Sequence, residues 1–287
     1  MVVKPTFAPQ ASSAPVTPAA EDPAPRPGLA FLTAVPIAVL GGLIGLGGAE
    51  FRLPVLAGPL GYAARRAVPL NLAVSLVTVV TSLLIRGQTL TLEGVAPLAP
   101  ELLALIAGAV VAAFAGTALA GRLSNEQLER VILVLLVGIG LALIAEAFLP
   151  AGVPALVPAG PTWRVPAGVL FGLGIGLVSS LLGVAGGKLI IPTLVFGFGA
   201  DIKTAGTASL LVSLPTVAVG VVRYARRGAF ARAALTGTVA PMGVGSVVGA
   251  LLGGLLVPSA PQALLKLGLG VILNVSAWRI FRHGGRR

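Results

Sequence analysis

The chain has 287 residues, of which 10% are charged and 56% belong to the hydrophobic set, and its formal net charge is +11 at pH 7. Soluble domains carry about 25% charged residues, and one globular core could not hide this much apolar surface. The composition therefore excludes a soluble protein and predicts an all-α polytopic membrane protein. The positive charge then indicates basic loops that orient the chain in the bilayer, with no nucleic-acid partner.

The chain begins with residues 1–28, which are rich in Pro, Ala and Ser and predict a disordered tail. Apolar runs of about 20 residues, the length that crosses a bilayer, then follow at 29–46, 67–85, 102–121, 131–149, 165–182, 204–222, 233–257 and 263–281. Shorter apolar stretches lie at 51–60 and 189–199. A Pro-rich linker at 150–164 separates a first membrane repeat, 29–149, from a second, 165–282, and 283–287 form a basic tail.

The two halves carry the same motifs in the same order, which indicates a duplication. GLGGAEFRLP at 45–54 aligns with GVAGGKLIIP at 183–192, so each half opens with a helix broken by glycines. Small residues then recur at every fourth position in both halves, at Gly108, Ala112, Gly116 and Ala120 and at Pro241, Gly245, Gly249 and Gly253. Such spacing is typical of close helix packing rather than of binding.

A Gly-rich break followed by a proline, present at 45–54 and 183–192 in two halves of four apolar runs, resembles the sulfite exporter TauE/SafE family of membrane transporters. The resemblance implies transport of a small sulfur-containing anion such as sulfite, a sulfonate or thiosulfate. It also implies a multi-pass protein of the bacterial inner membrane.

The glycine segments predict a substrate site. A helix interrupted at membrane depth exposes unpaired N–H groups and a partial positive charge, and secondary transporters bind anions at such ends. The predicted site includes Gly47 and Gly48 in the first half and Gly186 and Gly187 in the second. The alternative is that these glycines only permit tight helix packing.

Three charged residues accompany the glycines. An ionisable group at membrane depth costs about 3 kcal/mol or more, so it is expected to face a cavity or a partner. Lys188 is predicted to hold the anion and Glu50 to carry a coupled proton, while Arg52 points away from Glu50 and faces the cavity alone. An ion pair between Glu50 and Lys188, or a place for one of them at the water interface, remains the alternative.

Polar side chains also form a stripe on one helix face in each half. Their hydroxyl and amide groups suit a dehydrated oxyanion, which needs hydrogen-bond donors. The predicted substrate-binding stripes are Asn71, Ser75, Thr78 and Ser82 in the first half and Ser209, Ser213 and Thr216 in the second. The alternative is hydrogen bonding of each hydroxyl to its own helix.

The distribution of Lys and Arg favours inverted halves over parallel ones. If each glycine break turns the chain back as a re-entrant hairpin, most basic residues lie in the cytoplasm, and Arg86, Arg164 and Lys203 lie outside. The C-terminus is predicted to be cytoplasmic in both arrangements. Full crossing by all eight long runs would make the halves parallel and leave more basic residues outside.

The residues predict no enzyme, cofactor or metal site, since there is no cysteine, His283 is the only histidine and no HExxH, GxSxG or P-loop motif occurs. The predicted function is a secondary carrier whose partners are a small anion, membrane lipid and a coupled proton. An anion channel with the same lining and a carrier of a different small organic anion remain alternatives. A non-transporting scaffold is disfavoured by the buried charges. The sequence does not indicate the direction of transport or the oligomeric state.

Overall fold

The computed structural model describes residues 23–62, 64–89, 94–119, 155–182 and 186–261, with a few isolated positions after 119 and after 261. Within these ranges the chain folds into helices and contains no strand. Five of the described helices are long and apolar enough to cross a membrane. The predicted all-α membrane fold is therefore confirmed for this part of the chain. Most of the predicted tail and of the runs 131–149 and 263–281 lies outside the described residues.

Each half contributes four described helices. In the first half, α1 spans Pro27–Ile44, α2 spans Ala49–Ala57, α3 spans Ala64–Thr89 and α4 spans Ala99–Leu119. In the second half, α5 spans Pro161–Leu182, α6 spans Gly187–Gly197, α7 spans Ile202–Arg226 and α8 spans Arg232–Leu256. Both α6 and α8 contain a π-helical stretch, at Thr193–Gly197 and Leu235–Val239.

Two helices begin inside segments that the sequence predicts to be a tail and a linker. α1 begins at Pro27, inside the predicted tail, and α5 begins at Pro161, inside the predicted linker. Abundant proline was interpreted as a sign of irregular chain at both places. In the first helical turn, however, its missing N–H has no partner to lose and its fixed φ suits the helix. Both helices are therefore longer at their N-terminal ends than predicted.

Helices α1 and α2 form a hairpin, and so do α5 and α6. At the start of α1, Arg26 Nη1 donates to Pro59 O, just beyond α2, at 3.1 Å. At the start of the second hairpin, the N–H groups of Leu156 and Val157 donate to carbonyls at the end of α6, those of Phe196 and Gly197, at 2.9 and 3.0 Å. In each hairpin the beginning of the first helix thus lies beside the end of the second.

The long helices α3 and α7 pack against each other in opposite directions. Leu72, near the start of α3, packs against Val217 and Tyr224 in the C-terminal half of α7. Arg86, near the end of α3, donates instead to Thr207 in the first turns of α7. The two helices that carry the predicted polar stripes therefore run antiparallel.

The bundle has two ends of different charge. One, called here the arginine end, carries Arg26, Arg66, Arg223, Arg226, Arg227 and Arg232 at or beside the ends of α1, α3, α7 and α8. The other, called here the Lys203 end, carries Glu101, Arg164, Asp201 and Lys203. Both the α1–α2 hairpin and the start of α3 face the arginine end, while the α5–α6 hairpin and the start of α7 face the Lys203 end.

Glycines bring two pairs of helices into backbone contact. Gly245, Gly249 and Gly253 of α8 lie directly against the backbone of α1, which confirms the packing role predicted for these three positions. In the other pair, Gly172 and Gly176 of α5 lie against the backbone of Leu105 and Ala109 in α4. A Cβ atom at any of these positions would collide with a carbonyl oxygen of the neighbouring helix. Small residues therefore set the spacing of both pairs.

Replacing Gly172 by Ala is expected to destabilise the protein, because the added methyl group would meet the backbone of Leu105. Overpacking of this kind costs about 1–3 kcal/mol. Gly174→Ala is the matched control, since it lies on the same helix and a Cβ there meets nothing within 4 Å. Thermal unfolding of the purified protein in detergent should show a lower midpoint for Gly172→Ala alone. Equal midpoints would contradict the close packing of α4 on α5.

Candidate functional site

The first glycine segment joins α1 to α2 and turns the chain back. Gly45, Gly47 and Gly48 have φ angles of 91°, 72° and 70°, in the left-handed region that favours glycine. Gly45 also lies against the backbone of Gly206 in α7, so a side chain there would collide with the second half. The segment therefore needs glycine both for its conformation and for its contact with α7.

Arg52, near the start of α2, is fully buried and holds this segment in place. Its Nη2 donates to Gly47 O at 2.7 Å and to Ser75 Oγ at 2.8 Å. Its other donors reach Thr78 Oγ1 at 2.7 Å, Ser246 Oγ at 3.3 Å and Asn71 Oδ1 at 3.4 Å. A guanidinium has five N–H donors, so each of them has an acceptor. Arg52, Asn71, Ser75, Thr78 and Ser246 are called here the Arg52 cluster.

The two polar stripes also bind the backbone of the first glycine segment. Asn71 Nδ2 donates to Ala49 O at 2.8 Å, from the first half. Ser209 Oγ donates to Gly45 O at 2.6 Å, from the second half. Carbonyl groups released by a helix break need such donors when water is excluded. The segment is thus held from both sides by residues that the sequence predicted as substrate ligands.

Several hydroxyl groups of the stripes form hydrogen bonds within their own helix, which was the alternative to substrate binding. Ser75, Thr78 and Thr216 each donate to the carbonyl four residues earlier in their own helix, at 2.7, 3.0 and 3.0 Å. Ser213 is buried farther along α7, and within the described part of the chain the fully buried Ser82 Oγ has no hydrogen-bond partner. The stripes therefore combine helix-bound hydroxyls with residues that clamp the break.

The second glycine segment meets the first at the centre of the bundle. Gly186 has a φ of 77°, and Gly187 leaves no space between its backbone and that of Leu46. Lys188, which follows at the start of α6, is 7% exposed, and its Nζ lies 5.6 Å from the ring centroid of Phe51. This cation–π contact places the lysine beside α2.

The structure thus assembles most of the predicted site residues around one contact between the halves. The first segment contains Gly47 and Gly48, and around it lie Arg52, Asn71, Ser75 and Thr78. Ser209 reaches the same segment from α7. On the other side of the contact lie Gly186, Gly187 and Lys188. Ser213 and Thr216 lie nearer the arginine end of α7. The side chain of Glu50 lies outside the described residues, and so do positions 183–185.

Arg86 was predicted to lie on the outer side, just beyond an apolar run that ends at residue 85. It is 1% exposed and lies within α3, which continues to Thr89. Its Nη2 donates to Gly42 O at 2.9 Å and to Leu43 O at 2.8 Å, and its Nε also reaches Gly42 O, at 3.1 Å. Its Nη1 donates to Thr207 Oγ1 at 3.0 Å and to Lys203 O at 3.3 Å.

Sequence reasoning missed two buried polar residues that bond to other helices, Arg86 and Ser246. Arg86 follows the predicted end of an apolar run, where a basic residue usually indicates a loop. The signal that could have found it is the glycine break itself, because the last carbonyls of α1 need donors from elsewhere. Ser246 was overlooked because it stands among the small residues of the α8 stripe.

A cleft opens between α4, α5 and α7 toward the arginine end. Its cavity volume is about 30 Å³, and its described lining is Leu72, Ala113, Ser179, Thr216, Val217, Val219, Gly220, Arg223, Tyr224 and Arg227. Its inner part reaches Ser179, whose Oγ lies directly against Gly186 of the second glycine segment. The cleft therefore leads from the arginine end toward the contact between the halves.

Apolar helices of membrane-spanning length around a buried polar centre define the class of helical membrane transport proteins. The chain belongs to the sulfite exporter TauE/SafE family, whose family model matches residues 1–143 and 167–287. No curated protein and no solved structure matches the chain. Membership of the family confirms the resemblance seen in the sequence.

Proposed function

We propose that the chain is a secondary carrier that moves a small sulfur-containing anion across the bacterial inner membrane. The family supports transport of sulfite or a related anion. The observation that carries the proposal for the site is Lys188, a cation that is 7% exposed where the two glycine segments touch. The site lies between those segments.

The surroundings of Lys188 suit an anion. The residue stands in the first turn of α6, an 11-residue helix whose N-terminal end contributes partial positive charge. Its ammonium faces an aromatic ring, Phe51, at 5.6 Å. Its ammonium adds a full positive charge to this part of the bundle, and an anionic substrate that reaches the glycine segments is attracted to it.

The arrangement of the halves supports an alternating-access mechanism. α3 and α7 run antiparallel, and each glycine segment closes a hairpin at an opposite end of the bundle. These features support inverted repeats with re-entrant hairpins, an arrangement in which one half rocks against the other around a central site. The arginine end is the cytoplasmic end by the positive-inside rule.

Glu50 keeps the proposed role of proton carrier. Its backbone lies at the start of α2, between the first glycine segment and Arg52. We assign it the uptake and release of the coupled proton because it is the acidic residue of the first glycine segment. Coupling to a proton gradient follows from that exchange.

Flux measurements on the purified protein in proteoliposomes test this function. We expect saturable uptake of radiolabelled thiosulfate that is accelerated by unlabelled anion on the opposite side and responds to a proton gradient. Competition by sulfite, sulfate, taurine and sulfoacetate ranks the substrates, with protein-free vesicles as the control. Large unitary currents without acceleration would indicate the anion channel instead. Absence of flux for all five compounds would contradict a sulfur-anion carrier.

A further inference from the structure

We propose that Ser179, Tyr224 and Arg223 form a second oxyanion-binding position in the cleft, one that the substrate occupies between the arginine end and Lys188. The inference rests on the proposed function, since it gives the carrier an access site. The ligand it fits is a small anion with sulfonate, sulfite or sulfate oxygens.

Ser179 provides the first observation. It is 4% exposed, it lines the cleft, and its Oγ has no hydrogen-bond partner among the described residues. Buried hydroxyl groups are nearly always paired, so an orphaned one at the inner part of an open cleft points to a missing ligand. Its contact with Gly186 places that ligand next to the second glycine segment.

The charge of the cleft provides the second observation. Arg223 and Arg227 line it, and none of its described lining residues is acidic. Arg223 is held on the wall, since its Nη1 donates to Ala113 O at 2.6 Å and its guanidinium carbon lies 5.6 Å from the ring centroid of Phe114. Tyr224 adds a phenolic donor beside it. Fixed cations and neutral donors around an apolar cleft select an anion over a cation.

The third observation is the asymmetry of the bundle. The cleft opens at the arginine end, whereas Arg86 bonds the end of α1 to the start of α7 near the Lys203 end. The described conformation is therefore accessible from the arginine end. An anion that enters from there passes Arg227 before it reaches the position formed by Arg223, Tyr224 and Ser179.

Cysteine labelling tests the site directly, because the chain contains no cysteine of its own. In Ser179→Cys, an anionic methanethiosulfonate should react about tenfold faster than a cationic one, as expected for a positively charged cleft. Sulfate and sulfoacetate, which unlike sulfite do not attack the reagent, should slow the reaction. Ser82→Cys is the matched control, since Ser82 is equally unpaired but lies in α3 outside the cleft lining.

Further variants and conditions show which groups cause the difference in labelling rate. Arg223→Gln in the Ser179→Cys protein should abolish the preference for the anionic reagent, while Arg226→Gln, an exposed arginine that does not line this cleft, should not. Thr216→Cys repeats the test if Ser179→Cys does not fold. Protection by sulfoacetate in phospholipid-free detergent supports a soluble anion as ligand. Protection that appears only in phospholipid vesicles would assign the position to a lipid phosphate and overturn the access site.

Different results would contradict the proposed cleft site and the proposed carrier function. Ser179→Cys that reacts no faster than Ser82→Cys, or that sulfate and sulfoacetate do not protect, overturns the cleft site even if the wild-type protein transports. Protection of Ser179→Cys in a protein that shows no flux would instead contradict the carrier function and leave an anion-binding cleft.

Discussion

Replacing Arg86 by Gln is expected to lower the free energy of unfolding by about 3 kcal/mol or more. A buried polar group left without its partner costs about 1–3 kcal/mol, and this substitution leaves several buried acceptors unpaired at once. Arg86 donates to the carbonyls of Gly42, Leu43 and Lys203 and to Thr207 Oγ1. Glutamine has one N–H₂ group on a shorter side chain. The last turn of α1 would therefore lose its donors and its connection to α7.

The unfolding midpoint of the purified protein in a mild detergent measures this effect. Arg26→Gln is the control, since it also removes an arginine that donates to a carbonyl, that of Pro59, but at an exposed place. It should change stability by no more than about 0.5 kcal/mol. Arg86→Lys keeps the charge but not the forked donors of the guanidinium, so it should be nearly as unstable as Arg86→Gln. If Lys restores full stability, charge rather than hydrogen bonding to the helix end is the cause.

Replacing Lys188 by Gln is expected to weaken anion binding by about 1–3 kcal/mol, the range for a hydrogen bond to a charged group. This corresponds to a Kd raised roughly 5- to 150-fold. The side chain keeps similar length and a donor, so the contact between Gly187 and Leu46 should survive. Calorimetric titration of the purified protein with thiosulfate gives the Kd, and proteoliposome flux gives the KM.

Arg232→Gln is the matched control for Lys188→Gln, because it removes one positive charge from an exposed place at the start of α8. Its Kd should equal that of the wild type. The unfolding midpoint of each variant separates binding from folding. Lys188→Gln that only reduces the amount of folded protein, with unchanged transport per molecule, would make the lysine a structural lock between α6 and α2.

The sequence predicted which polar residues are buried near the glycine segments, but it did not predict their partners. The aligned stripes correctly marked Asn71 and Ser209 as buried polar residues of α3 and α7. Nothing in the sequence indicated that both would bind backbone carbonyls of the first glycine segment. Arg52 was predicted to face a cavity, and its donors reach the Arg52 cluster and Gly47 O. The proposed substrate contact therefore rests on Lys188.

The sequence by itself determined that this protein lies in a lipid bilayer, and it determined where the glycine segments interrupt the helices. Long apolar runs are stable only in a bilayer, and clustered glycines adopt the left-handed conformations found at Gly45, Gly47 and Gly48 because they lack a Cβ atom. These properties are local, so a single segment is enough to reveal them.

Only the tertiary structure decided which groups form hydrogen bonds with the carbonyls at the interrupted helix ends. It also decided the direction of the chain after each glycine segment. Arg86 reaches carbonyls 44 and 43 residues away, and Arg52 reaches Ser246 across 194 residues. Such pairings depend on how helices pack, since any buried donor of suitable length could satisfy the same carbonyl. A glycine segment permits a turn in several directions, and the contact of Gly45 with Gly206 and of Gly187 with Leu46 selects the one observed.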